Sequence, residues 1–137
     1  MTISEAIYSY LSSYTALTTY CSNRIYPDFL PQSPKYPCVS YSQISEEEVD
    51  TIEQPNTLIA PTMQFDCFAT AASTAEAMSK QIRAAFKSYS GQMGGTAGVT
   101  VSGIEKISSL NNTYTDSDGR IIAITVSSDY QIWYQEG

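Results

Sequence analysis

Thr62-Met63-Gln64-Phe65-Asp66-Cys67-Phe68-Ala69, followed after three residues by Ser73-Thr74-Ala75-Glu76, is the stretch on which the fold turns. Met63, Phe65, Cys67 and Ala69 alternate with Thr62, Gln64 and Asp66, which is the period-two pattern of a strand with one dry face. Ser73 and Glu76 have capping-box spacing, in which each side chain satisfies a backbone N–H left orphaned at a helix start. A helix is therefore expected to begin there. Met78, Ile82, Ala85, Phe86 and Tyr89 form one apolar stripe along it, and Gly91 is the expected stop. The dry face of the preceding strand is the nearest surface for that stripe to cover.

Outside this unit the chain offers an amphipathic helix and further strands. Thr2-Ile3-Ser4-Glu5 is a second capping box, and Ile3, Ile7, Tyr10, Leu11, Tyr14 and Leu17 share a stripe, which predicts a first helix over residues 3–20. Arg24-Ile25-Tyr26-Pro27 reads as a short extended piece, and Pro31, Pro34 and Pro37 hold a loop. Cys38 to Ile44 alternates and is rich in sheet formers. Glu46, Glu47, Glu48, Asp50 and Glu53, with two prolines before Thr62, read as an exposed arm or hairpin tip over 46–61. Gly91 to Gly98 reads as a loop, and it fails as a phosphate cradle because it follows a helix and lacks the lysine. Val99 to Ile107 predicts a strand with an irregularity at Gly103. Asp116-Ser117-Asp118-Gly119 predicts a hairpin turn rather than a calcium loop, since Tyr114 and Thr125 occupy the first and last ligand positions. The final strand, about 120–134, places Ile122, Ile124, Val126, Tyr130, Ile132 and Tyr134 on one face. The expected class is α+β: two helices packed on one face of a mostly antiparallel sheet of four to five strands, with a protruding loop or hairpin arm.

Composition narrows the function. A chain of 137 residues fits one domain, taken here as 1–137, and has no run of about 18 apolar residues that would span a membrane. The N-terminus lacks a basic segment followed by an apolar block, so residence in a cytoplasm is expected. There is no His, which removes the commonest general base and metal ligand. Cys21, Cys38 and Cys67 are odd in number and widely spaced, and they read as buried hydrophobes rather than as a disulfide framework or zinc site. No cofactor is expected. A small hydrolase would have to use Cys67 or a Ser with a carboxylate and no His, a poor set. A net charge of -7 opposes phosphate-backbone binding. Eleven Tyr supply the stiff, amphipathic area that suits both cores and protein contacts.

The ordered set of an N-terminal amphipathic helix, Arg24-Ile25-Tyr26-Pro27, Tyr36-Pro37-Cys38-Val39, an alternating strand entering a Ser/Thr-Ala-Glu-Ala helix, and a closing Tyr130-Gln131-Ile132-Trp133-Tyr134 resembles the tail-completion, or tail-terminator, proteins of long-tailed bacteriophages. The resemblance spans nearly the whole chain. It implies a virion protein without enzymatic activity, assembled in the host cytoplasm, of which six copies form a ring at the head-proximal end of the tail tube. Such a ring ends tube polymerisation and docks to the neck. Its implied partners are itself, the tail tube protein and a neck or head-completion protein, with DNA passing through the lumen unbound. The acidic arm and the glycine-rich loop depart from the family pattern. A different neck ring or a tube subunit is the alternative within that setting, and an intracellular adaptor binding peptides by strand addition is the alternative outside it.

Three groups of residues are interface candidates. Lys80, Arg83 and Lys87 line one side of the second helix; they form either a solvated face or a strip that receives the acidic arm, Glu46, Glu47, Glu48, Asp50 and Glu53, of a neighbouring copy. Trp133 and Tyr134 are either the last core contacts of the sheet or an exposed anchor. The net negative charge serves either solubility or a lumen along which DNA slides.

Overall fold

The computed structural model describes residues 2–28, 35–49, 58–87, 89–95, 98–115, 118–119 and 121–135, with the backbone course alone at 47–49, 114–115 and 121–122. Pro31 and Pro34 of the predicted loop, Asp50 and Glu53 of the arm, and Asp116 and Ser117 of the predicted turn lie outside the described residues. The elements run α1 (Ile3–Ser12), α2 (Thr15–Cys21), β1 (Ile25–Pro27), β2 (Cys38–Val49), β3 (Leu58–Ala69), α3 (Ala72–Phe86), β4 (Gly91–Met93), β5 (Val99–Thr115) and β6 (Ile121–Gln135). One sheet of six strands has the order β1-β2-β3-β6-β5-β4. Its pairings are antiparallel except β1 with β2, which is parallel.

The α+β, mostly antiparallel class holds, but the described residues form three helices instead of two and six strands instead of four to five. The predicted first helix is two helices. The Ser12 and Ser13 hydroxyls donate back to the Ser9 carbonyl, Ser13 also to Tyr10, and Tyr14 is extended with φ -84° and ψ 98°. Hydroxyls that compete for last-turn carbonyls end the helix there although the apolar stripe continues in phase. The capping box at Thr2 forms: Glu5 N–H donates to Thr2 Oγ1 at 3.1 Å and Thr2 N–H donates to Glu5 at 3.3 Å. The one expected at Ser73 does not. Helix α3 begins at Ala72 with Ala71 as its cap and no side-chain cap bond, so Ser73 already sits inside its first turn and Glu76 lies beyond it. Nor is Gly91 its stop; α3 ends at Phe86, and Lys87 turns extended. Gly91 opens β4 at φ 123°, so the glycine-rich segment contributes a short strand as well as a loop. Strand β5 runs on to Thr115, eight residues past the expected end at Ile107. Its irregularity falls between Val101 and Gly103 as expected, with further shifts at Lys106/Ser108 and Tyr114/Thr115.

The anticipated dry face is the centre of the core. Met63, Phe65, Cys67 and Ala69 are buried, and Ala75, Met78, Ile82, Ala85 and Phe86 of α3 close over them. Phe65 touches three rings: Tyr41 at 5.6 Å, Phe86 at 5.2 Å and Tyr130 at 5.7 Å between centroids. Two hydroxyls tie the helical layer together: Tyr10 donates to the Ala85 carbonyl at 2.6 Å and Tyr41 to the Ser4 carbonyl at 2.7 Å. Where α3 crosses β6, the Ser79 and Ser128 hydroxyls lie 3.1 Å apart, so both buried polar groups are paired.

Candidate functional site

Strand register decides which side chains meet. Met63 pairs with Tyr130 and Phe65 with Ser128, so Val126, Ser128, Tyr130 and Ile132 share the sheet face under α3. Across the next ladder Lys106 pairs with Tyr130 and Ile104 with Ile132, which brings Lys106 to the same face. Lys80, Arg83 and Lys87 are exposed on α3, and Lys106 is exposed beside them. Four of the seven positive charges thus gather between one helix and one strand.

Two clefts run between α3 and β5. One, of about 240 Å³, has Phe86, Ile104 and Tyr130 as its apolar lining, with Arg83, Lys87 and Lys106 and the acidic Glu105 around them. The second, of about 230 Å³, shares Arg83 and Lys106 and adds Lys80, Glu76 and Ser79. The Tyr130 hydroxyl is buried and has no hydrogen-bond partner among the described residues. Burial pushes its pKa up to about 12, with Cys67 adding to the rise and Arg83 opposing it. The hydroxyl is closed to solvent, so what the groove offers a guest is its cations, which suit a carboxylate. A larger cleft, about 460 Å³, lies between α1 and β2, but its carboxylate, Glu5, is committed to the Thr2 cap and its Tyr41 hydroxyl to Ser4.

The opposite side of the sheet has the opposite charge. Strand β1 covers β2 only at Val39, Ser40 and Tyr41; from Ser42 to Val49 no further strand among the described residues pairs on that edge. Glu46 is exposed, and Glu47 and Glu48 follow it in β2, aligned with Ala60 and Ile59 of β3. The acidic arm thus begins as a paired hairpin, β2 with β3 up to Val49 and Leu58, and not as a free loop. On the far edge, β4 covers β5 only at Val99 to Val101. Ile44 and Ile107 are each skipped by the pairing register, and they are 51% and 53% exposed, with Leu110 at 61%. Among the described residues, the three most exposed large apolar side chains therefore sit on the two uncovered edges.

Trp133 and Tyr134 point to opposite faces of β6 and are both half-buried; Tyr134 packs against the core, whereas Trp133 lies across from Gly103 on the other face. The cysteines are free and buried. Burial pushes the Cys38 thiol up to about 11 against the pull of Arg24, and raises Cys67 further, with Cys21, Asp66 and Cys38 adding to it. Thiols held protonated are poor nucleophiles. Among the described residues no group of three His, Cys, Asp or Glu could hold a metal ion, and no helix is long and apolar enough to cross a membrane.

A family model described as tail completion protein gp17 matches residues 5–131. The chain belongs to this family of tail completion proteins. It is accordingly a structural protein of a bacteriophage tail, located in the virion. Among solved structures, the tail completion protein is similar to a chain in the virion of a native gene transfer agent particle, at 12% identity and a TM-score of 0.65, with 98% of this chain and 95% of that chain covered. At that identity the likeness speaks for the fold. A search of curated proteins finds no match.

Arg83 lines both clefts, Lys80 only one and Lys87 only the other, with Lys87 just past the end of α3, and β3 and β6 lie between the strand of Glu46 to Glu48 and β5. Lys106 was not among the residues the sequence pointed to. The helix spacing shows a basic strip, but only the pairing of Lys106 with Tyr130 shows that β5 completes it.

Proposed function

We propose that this tail completion protein is a tail terminator: copies close into a ring on the head-proximal end of the tail tube, stop its polymerisation and present the surface to which the neck docks. The observation that carries this is the polarity of the sheet. Its β2 side bears Glu46, Glu47 and Glu48, and its β5 side, with α3, bears Lys80, Arg83, Lys87 and Lys106. A two-fold contact would set like charges against each other, whereas a head-to-tail contact sets acid against base and closes a ring when the rotation closes. Residues 1–137 act in it as one domain, without enzymatic activity, and the family resemblance supports six copies. With -7 on each copy, such a ring repels DNA from its walls.

A second role in the same place, a tube subunit, also needs head-to-tail contacts but predicts polymerisation. Purified protein mixed with tail tubes and viewed by electron microscopy separates them. The terminator caps one end as a single ring and tubes stop growing; a tube subunit extends them.

A further inference from the structure

We infer that the groove between α3 and β5 is the receptor for the acidic β2 strand of a second copy, with Glu46 and Glu48, which alternate with Glu47 and so share one face of the strand, entering among Lys80, Arg83 and Lys106. This contact rests on the ring proposed above and names its chemistry. Two independent features point to an acidic guest strand: four cations gathered along α3 and β5, and a β5 edge that no strand among the described residues covers past Val101. Glu105 and Glu76 line the same clefts and make the guest's register selective, because an acid placed opposite them is repelled.

The guest cannot come from the same chain. Glu46 to Val49 are held in the β3 ladder opposite Leu58 to Pro61, and β3 and β6 both lie between β2 and β5. Three strand spacings put β2 about 14 Å from β5. A neighbour related by a ring axis along the strands brings its β2 edge to this β5 edge instead. Since β2 and β6 run one way and β3 and β5 the other, the two edges meet antiparallel. Ile44 of the guest then has Ile107 and Leu110 of the host as apolar neighbours, which covers the most exposed large apolar side chains among the described residues.

Three variants test the contact: E46K/E47K/E48K, K80E/R83E/K106E, and one chain carrying all six changes. Most of these positions are exposed, so folding is checked by circular dichroism and assembly by ring formation on tail tubes. Each triple variant is expected to lose ring formation at least tenfold. The six-fold chain, and an equimolar mixture of the two triples, are expected to recover it. Either triple assembling like the parent, or a six-fold chain as impaired as the triples, overturns the contact while leaving a ring of other construction standing. If the groove triple still forms rings but no longer seats on tubes, the guest is an acidic segment of the tube protein and a second copy is ruled out. A parent chain that forms no ring on tubes removes the ring itself, and this contact with it.

Discussion

Phe65→Ala removes the side chain around which the aromatic core is built. Phe65 has no solvent exposure and packs against Tyr41, Phe86 and Tyr130, the last edge-on at 80° between ring planes. Truncating a buried Phe to Ala costs about 3 to 5 kcal/mol through lost transfer energy and the cavity left behind. Three ring neighbours, each contributing about 0.5 to 1.5 kcal/mol beyond area, place this site near the top of that range. The surroundings cannot collapse easily, because the β2, β3 and β6 ladders fix the backbone on the sheet side and the Tyr10 and Tyr41 hydrogen bonds fix the helices. A loss of about 4 to 5 kcal/mol is a large share of the roughly 7 to 20 kcal/mol that a chain of this length holds. It corresponds to a fall in Tm of about 10 to 20 °C. Phe65→Leu keeps most of the volume and loses the ring contacts, so it should cost about 2 kcal/mol. Urea unfolding followed by circular dichroism gives both values. An Ala variant that loses under about 2 kcal/mol, or a Leu variant as damaged as the Ala one, would refute a core centred on this ring.

Caps separate the two helix starts: Thr2→Ala should cost about 1 kcal/mol, Ser73→Ala under about 0.5, and Ala71→Asp should stabilise by about 0.5 to 1, all read from denaturation midpoints. Asp66 has its pKa raised by burial and by Asp129, against a hydrogen bond from Ser127. A carboxyl raised in the fold binds its proton more tightly there, so stability is greater below the unfolded value of 3.8 and is lost as pH rises through the folded one. Asp66→Asn should therefore be neutral or stabilising at pH 7, with the gain vanishing at low pH in a pH series of unfolding curves. At the alkaline end, Cys38 and Tyr130 move from 9.0 and 10.0 to about 11 and about 12, so stability is full below pH 9 and falls as pH climbs through those values. The fall should be shallower in Tyr130→Phe.

Period made the β3–α3 unit legible even though the capping box expected at Ser73 does not form, because there local pattern and tertiary partner agree: the residues that alternate are the ones α3 buries. Strand β6 was legible for the same reason. What escaped lies where pairing overrides pattern. Ser108 to Thr115 is polar and has little strand signature, yet it pairs with β6 from Asp129 to Ile121, with one register shift at Tyr114/Thr115. Gly91 to Met93 has poor strand propensity and is a strand because β5 offers it a ladder. The break at Ser13 was hidden by an apolar stripe that stays in phase across it. At the candidate interface, helical spacing exposed Lys80, Arg83 and Lys87, but Lys106 comes from an element some twenty residues further along the chain. Only register places it against Tyr130.

Termination by a head-to-tail ring is tested most directly by adding the purified protein to tail tube protein under polymerising conditions and imaging the products. A terminator gives tubes of arrested length, each bearing one ring of this chain at a single end. Tubes that grow as before, or that carry the protein along their sides, would contradict it.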